Sequence, residues 1–152
     1  MAYKDRTYSE QTVQRVLYKH FKKMYYRMSN VYMFGEWESD FFFMGKNKFL
    51  WEIEIKVDRQ DFDRDFKLKT KKHRLLKDTF ESGDPGKMLL PNKFYFCCPE
   101  GVIPHERIPE YCGLIEIFDR DKVRYIGENP NIHERVEEVD RDWETKIKLV
   151  WE

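Results

Sequence analysis

The feature that most constrains the fold is a pair of alternating segments joined by a short turn sequence. Residues 49–57 alternate almost perfectly, and residues 36–44 form a second apolar segment. The residues between them, Gly45-Lys46-Asn47-Lys48, are typical of a hairpin turn. In the second segment one face carries Trp51, Ile53, Ile55 and Val57, and the other face carries Glu52, Glu54 and Lys56. We therefore predict an antiparallel hairpin with one apolar face.

The register of this hairpin follows from the same pattern. Pairing residues whose numbers add up to 94 places Phe41 opposite Ile53 and Asp40 opposite Glu54. A slip of one residue would place phenylalanines opposite glutamates, which burial of the apolar face forbids. Directly opposed residues have Cβ atoms about 4.5–5.5 Å apart. We therefore expect the Asp40 and Glu54 carboxyl groups to be close neighbours.

Two carboxylates this close repel each other unless a proton or a cation lies between them. Mg²⁺ prefers one or two carboxylates together with water and phosphate oxygens. A backbone carbonyl from Ile53 or Ile55 would add an oxygen ligand, and Lys56 would stabilise negative charge in a transition state. The pattern thus indicates a Mg²⁺-dependent phosphodiesterase. The alternative is an ordinary solvated strand face, on which Lys56 merely pairs with Glu38 and Glu52 is exposed or a secondary ligand.

The rest of the chain predicts an α/β or α+β domain with a mixed sheet. The size of 152 residues is typical of one domain, 1–152. Two amphipathic helices, three further strands and a helical tail are predicted at 9–28, 59–80, 94–98, 113–118, 122–126 and about 140–152.

Several classes of protein are excluded by what the sequence lacks. The longest apolar runs span only a few residues, and the first residues are polar, so we expect neither a membrane span nor a signal peptide. Three cysteines, two of them adjacent, make a poor disulfide framework and have no metal-ligand spacing. No glycine-rich nucleotide loop appears. We expect a reduced, cytoplasmic protein.

A basic block at residues 67–77 contains six lysines and arginines and no acid. Along the predicted helix, Lys69 and His73 fall within an apolar stripe. One hypothesis is that this helix meets DNA phosphates, and its predicted DNA-binding residues are Lys69, Lys72, His73 and Arg74. The alternative is that Lys69 extends its ammonium to solvent and His73 is hydrogen-bonded in the core. A second basic segment, with Arg15, Lys19, Lys22 and Lys23, is the other candidate DNA surface.

The spacing of the acidic and basic residues also resembles a known family. Glu38-Ser39-Asp40, followed by Glu54-Ile55-Lys56, resembles the motif of the PD-(D/E)XK nuclease superfamily, with Ser39 where proline is usual. Longer stretches resemble the small phage and bacterial MmcB-like DNA repair proteins: residues 52–66 followed by Lys72-His73, 94–101, 109–115 and 129–133.

This resemblance implies a restriction-endonuclease-like αβββαβ core, with a mixed central sheet flanked by helices. It implies a metal-dependent DNA nuclease of DNA repair or phage DNA metabolism, located in a bacterial or phage-infected cell and using Mg²⁺ or Mn²⁺. The implied catalytic residues are Asp40, Glu54 and Lys56, and the implied metal ligands are Asp40, Glu54 and the Ile55 carbonyl. Some members have lost catalysis, so an inactive DNA-binding or complex-assembly protein is the alternative. A homodimer is left open.

Many members of the superfamily place a metal-binding acid on their first helix. Glu10 is the candidate here, because it lies on the side of the helix that carries Val13 and Leu17. The alternative is a capping box in which Glu10 reaches back to the amide of Thr7. The sequence leaves these two roles open.

Overall fold

In the computed structural model, residues 8–136 form one six-stranded sheet with helices on both faces. The strands follow one another across the sheet in chain order, β1 to β6. The helices are α1 (Glu10–His20), α2 (Arg59–Leu68) and α3 (Thr70–Ser82), with a short 3₁₀ helix at His105–Arg107. The strands are β1 (Tyr25–Val31), β2 (Ser39–Met44), β3 (Leu50–Ile55), β4 (Lys93–Pro99), β5 (Gly113–Phe118) and β6 (Lys122–Ile126). The predicted tail helix at 140–152 lies outside the described residues.

The sheet is mixed, as predicted. Strands β1, β2 and β3 are antiparallel neighbours, β3, β4 and β5 run parallel, and β6 is antiparallel to β5. From α1 to β4 the elements follow the order αβββαβ, with two consecutive helices in the second helical position. The hairpin register is confirmed, since Phe41 pairs with Ile53 and Phe43 pairs with Trp51.

The first helix is shorter than the predicted span of 9–28. It ends at His20, and β1 follows from Tyr25. The spacing of Met24 and Met28 matches a helix, but Met28 instead packs with Val31 against Phe42 of the neighbouring strand. The helix also begins differently, because its capping box joins Ser9 to Thr12 and leaves Glu10 outside the cap. The capping role considered for Glu10 is therefore corrected.

The predicted helix at 59–80 is two helices divided at Lys69. Lys69 has non-helical backbone angles, with φ −117° and ψ 42°, and is both the C-cap residue of α2 and the N-cap residue of α3. The break changes which residues point inward: Asp65 is buried in α2, and Lys72 joins His73 and Leu76 on the buried side of α3. The acidic Asp65 and the basic Lys72 therefore both lie on the sides of their helices that face the sheet.

The core has a layer on each side of the sheet. Helix α1 packs with Val13 and Leu17 against the face that carries Phe41 and Ile53. Helices α2 and α3 cover the opposite face, where Phe62 and Leu76 pack with residues of β4 and β5. That opposite face of β3 carries Glu52, Glu54 and Lys56, which are buried. The interpretation of this face as a solvated surface is wrong. No helix within residues 8–136 combines the length and apolar character needed to cross a bilayer.

Candidate functional site

The candidate site is centred on Asp40 of β2 and Glu54 of β3. Their carboxyl groups are hydrogen-bonded, and the backbone N–H of Ile55 donates to Asp40 Oδ2 at 2.8 Å. Burial, the hydrogen bond and the negative charge of Glu54 raise the pKa of Asp40 to about 10. At neutral pH one proton therefore lies between the two carboxyl groups, on Asp40.

Glu54 is the charged member of this pair. Burial would raise its pKa, but the Lys72 ammonium, the hydrogen bond from Asp40 and the Lys69 ammonium together lower it to about 2. Lys69 Nζ lies 2.6 Å from Glu54 Oε1, and Lys72 Nζ lies 3.0 Å from the same oxygen. Glu54 thus accepts from two lysines and from a protonated aspartate.

Lys72 is a fully enclosed cation. Its residue is 3% exposed, and its ammonium also lies 3.2 Å from Glu52 Oε2. Burial lowers its pKa, but the charges of Glu52 and Glu54 outweigh burial, and the pKa is raised. The ammonium also faces the rings of Trp37, at 5.2 Å, and Phe94, at 4.6 Å. Lys72 therefore stays protonated although it has left water.

Glu52, the inner neighbour of Glu54 on this face, is 0% exposed. Its carboxylate accepts hydrogen bonds from Trp37 Nε1 at 3.0 Å and from the Ser39 hydroxyl, besides Lys72. Ser39 occupies the position where the nuclease motif usually has proline, and here it binds this carboxylate. The expectation of a solvated Glu52 is corrected, because α3 covers it.

Lys56 forms a second part of the site with Asp65 of α2. Its ammonium lies 2.8 Å from Asp65 Oδ1, so the alternative in which Lys56 merely pairs with Glu38 is corrected. The other oxygen, Asp65 Oδ2, accepts from His73 Nε2, and His73 Nδ1 contacts the Tyr111 hydroxyl at 2.9 Å. Because an ionised carboxylate only accepts, Nε2 carries the proton, and in the neutral ring Nδ1 accepts from Tyr111.

Asp65 stays ionised in this arrangement. Burial raises its pKa, but hydrogen bonds from His73 and Lys56 and the charge of Lys56 outweigh burial and hold the pKa well below its usual range. Lys69 connects the two parts, since its ammonium lies 3.5 Å from Asp65 Oδ1 as well as beside Glu54. One continuous network therefore joins the carboxyl groups of the site to the ammonium groups of Lys56, Lys69 and Lys72.

The network matches three carboxyl groups with three ammonium groups, although burial raises the pKa of Glu52 against the opposing effect of the Lys72 charge. Three carboxylates, Glu52, Glu54 and Asp65, face three ammonium groups, Lys56, Lys69 and Lys72. Burying charges is costly unless each is paired and hydrogen-bonded, and here each has at least one partner of opposite sign. The proton on Asp40 keeps a second negative charge from being buried beside Glu54.

The first helix approaches the carboxyl pair from the opposite face of the sheet. Gln14 Nε2 donates to the Asp40 carbonyl oxygen and to Asn30 Oδ1, both at 3.2 Å. Glu10 is exposed, and its charge is among the causes that raise the pKa of Asp40. Glu10 is therefore close enough to act on the pair electrostatically.

The predicted DNA-binding residues are only partly accessible. Lys72 and His73 are buried and bonded to acidic partners, so their assignment as phosphate contacts is corrected. Lys69 retains 31% of its side-chain exposure, and Arg74 is exposed. The alternative of a hydrogen-bonded core histidine describes His73, because α3 turns its ring toward Asp65 and Tyr111.

The acidic residues at the site fit a metal ion that keeps most of its water ligands better than one that protein side chains surround. Asp40 and Glu54 supply two adjacent carboxyl groups with a shared proton, and the backbone of Ile55 lies beside them. Within the described range, no group of three or more histidine, cysteine, aspartate or glutamate side chains is arranged to hold a metal. Mg²⁺ needs only one or two carboxylates when water completes its sphere. The pair meets that minimum.

Sequence reasoning missed Asp65, Trp37 and Tyr111. Asp65 had a signal, since it lies three residues after Phe62 and four before Lys69 and so shares a helical face with both. Trp37 and Tyr111 had none, because they reach the site from loops that are distant in the chain. Only the packed sheet brings these residues together.

Comparison with known proteins supports the fold alone. No protein-family model matches the sequence, and no curated protein matches it. Among solved structures, the chain is similar to SPO1766, a protein of unknown function from Silicibacter pomeroyi. The TM-score is 0.53 at 14% sequence identity, and the alignment covers 82% of this chain and 70% of that one.

Proposed function

We propose that this chain is a metal-dependent nuclease that hydrolyses phosphodiester bonds in DNA, with Asp40 and Glu54 as its metal-binding carboxylates. The observation that carries the proposal is their contact across the hairpin, with one proton shared at the end of β3. Strongly shifted pKa values beside specific charged partners are concentrated at functional sites. The αβββαβ order and the Glu38-Ser39-Asp40 and Glu54-Ile55-Lys56 motifs support the same assignment.

A divalent cation would replace the proton that the two carboxyl groups share. Bound Mg²⁺ or Mn²⁺ would supply Lewis-acid chemistry, activating water and offsetting charge on the scissile phosphate. Asp40 and Glu54 would hold it, with the Ile55 carbonyl and Glu10 as further oxygen donors. Asp40 would lose its proton in this exchange, so the two carboxylates together would supply two negative charges to a divalent cation.

The lysines would act on the phosphate. Lys69 is the more accessible, and its ammonium already lies beside Glu54 at 2.6 Å. Lys56 is fixed by Asp65, Asp65 is fixed in turn by His73, and the other ring nitrogen of His73 contacts the Tyr111 hydroxyl. A positive charge that is already oriented stabilises developing negative charge without reorganisation. Asp65 and His73 would thus be positioning residues rather than catalytic ones.

A second candidate function is an inactive member of the same fold that binds DNA or assembles a complex. The observation that favours it is Lys72, whose buried ammonium binds both Glu52 and Glu54. This ammonium already neutralises a carboxylate that a metal ion would need. The two candidates differ in whether Glu54 can exchange its contacts with lysine for a divalent cation.

Cleavage of plasmid and single-stranded DNA, with Mg²⁺, with Mn²⁺ and with EDTA, tests the proposal. We expect cleavage that depends on the metal and is lost in Glu54→Gln and Asp40→Asn, which keep the size of each side chain. Glu36→Gln is the matched control, because Glu36 is exposed and, within residues 8–136, its ion pair is the surface one with Lys71. Metal-independent cleavage, or equal activity in all variants, would contradict the proposal.

A further inference from the structure

A basic groove lies on the side of the sheet that α1 covers, opposite α2 and α3, between α1 and the turn that joins β5 to β6. Its volume is about 720 Å³, in the range of pockets that hold small ligands. One wall includes Arg15, Lys19 and Lys22, and the facing wall includes Phe118, Arg120 and Lys122. The two walls come from segments that are a hundred residues apart in the chain.

The groove is strongly positive. Its five lysines and arginines are exposed, whereas the one acid that lines it, Asp121, accepts a hydrogen bond from the Tyr8 hydroxyl at 2.9 Å. Within residues 8–136, no carboxylate forms an ion pair with the four cations Arg15, Lys19, Lys22 and Arg120. Charges that are left unpaired along one groove favour an anionic ligand.

The spacing of these cations fits a chain of phosphates. Arg15 and Lys19 are four residues apart on α1, which separates them by about 6 Å along the helix axis, and Lys22 follows just after the helix ends at His20. Arg120 provides positive charge on the facing wall, where Lys122 is paired with Asp119 at 3.3 Å. A row of positive charges is suited to an extended polyanion, whereas a single phosphate would require only a local cluster.

The groove begins near the same ends of the strands as the carboxyl pair. Strands β3 and β5 run in the same direction, so their last residues, Ile55 and Phe118, lie at the same end of the sheet. Two strand spacings separate them, about 10 Å. The first turn of α1 bridges this distance, since Glu10 acts on Asp40 while Thr12 lines the groove.

Aromatic rings accompany the charges. Phe118 and His20 line the groove, and the His20 ring neighbours Tyr125, which is 39% exposed, at 6.3 Å between ring centres. Proteins that bind single-stranded nucleic acid combine a positive groove for the backbone with aromatic rings for the bases. A groove of about 720 Å³ has room for a few nucleotides of a single strand.

We propose that this groove holds a single strand of DNA and leads it to the site at Asp40 and Glu54. The inference rests on the proposed function for the destination of the strand, but strand binding itself does not require cleavage. It moves the DNA surface from α3, where Lys72 and His73 are buried, to α1 and the β5–β6 turn.

The test is binding of a fluorescent oligo(dT) of about 12 nucleotides by anisotropy, in EDTA and across a salt series. The variant Arg15→Gln/Lys19→Gln/Arg120→Gln removes three exposed charges from the groove. We expect its affinity to fall at least about tenfold and its salt slope to fall by about 2, because each lost single-strand phosphate contact contributes about 0.7. The control Lys46→Gln/Lys77→Gln/Lys87→Gln removes three exposed charges elsewhere and should bind within about twofold of wild type.

Each outcome bears on one proposal or the other. Equal binding by the groove and control variants, no strand binding by the wild type, or tighter binding of duplex DNA or of oligo(U) would overturn the groove assignment. If the groove variant alone loses binding while the wild type cleaves no DNA with Mg²⁺, the inference holds and the proposed nuclease function fails. Thermal melting of each variant separates loss of binding from loss of folding.

Discussion

Asp40 and Glu54 face each other across the β2–β3 hairpin, and their pKa values are shifted in opposite directions, to about 10 and about 2. Both carboxyl groups have lost most of their contact with water, so only one of them can be charged at neutral pH. Glu54 is the charged one because Lys69 and Lys72 contact it directly. The pair therefore responds to anything that competes with its proton, whether hydroxide or a cation.

The first prediction concerns metal binding. If Asp40 and Glu54 share a divalent cation, millimolar Mg²⁺, Mn²⁺ or Ca²⁺ should raise the melting temperature, because the ion binds only the native state. At ten times Kd the gain is about 1.4 kcal/mol, or about 3–6 °C for a chain of this size. Differential scanning fluorimetry should show this shift in the wild type and none in Asp40→Asn or Glu54→Gln. Equal shifts in all three would remove the shared metal.

The second prediction concerns pH. Between the ordinary pKa of aspartate and the raised value of about 10, folded Asp40 holds a proton that the unfolded chain has released. The free energy of unfolding therefore falls as pH rises through this range, by up to about 1.4 kcal/mol per pH unit from this group. Asp40→Asn cannot titrate, so its advantage over the wild type should grow between about pH 6 and pH 9 in urea unfolding. Parallel pH profiles for the two proteins would refute the shared proton.

The third prediction concerns the buried cation. Lys72→Met leaves Glu52 and Glu54 without their common partner, and removing one member of a buried pair costs about 3–5 kcal/mol. Lys71→Met is the matched control, since the neighbouring Lys71 forms only an exposed pair with Glu36 and should change stability by less than about 0.5 kcal/mol. Chemical unfolding measures both. Adding Glu52→Gln to Lys72→Met should restore part of the loss, and a double variant no more stable than Lys72→Met would contradict the pairing.

The fourth prediction separates a catalytic Lys56 from a structural one. If Lys56 stabilises the transition state, Lys56→Met should lower turnover by roughly 10²–10³-fold while DNA binding falls far less. Asp65 keeps His73 and Lys69 as partners in this variant, so the site should stay folded. Single-turnover cleavage and a Ca²⁺-supported DNA titration provide the two measurements, with the exposed Lys46→Met as control. Cleavage by Lys56→Met within a few-fold of wild type would exclude a catalytic role.

The sequence by itself determined the hairpin, its register and the opposition of Asp40 and Glu54. Strand side chains alternate with a period of two, so any slip would have placed Phe41 and Phe43 opposite glutamates and out of the apolar layer that α1 covers. It also determined the β5–β6 hairpin, where apolar residues flank the short Asp119-Arg120-Asp121 turn. Each hairpin joins strands that are adjacent in the chain, so the pattern of nearby residues is enough to specify it.

Only the tertiary structure decided that the acidic face of β3 is buried and that Lys72 and His73 belong to it. A charged residue on a strand or helix has the same pattern in sequence whether it faces water or a partner. The partners here are 18 and 20 residues apart for Lys72 and its two glutamates, and 38 for His73 and Tyr111. Helical periodicity placed His73 in the apolar stripe but did not reveal the break at Lys69, after which Lys72 also lies on the buried side of α3. Burial of a charge depends on compensation by distant groups, and that compensation exists only once the chain has folded.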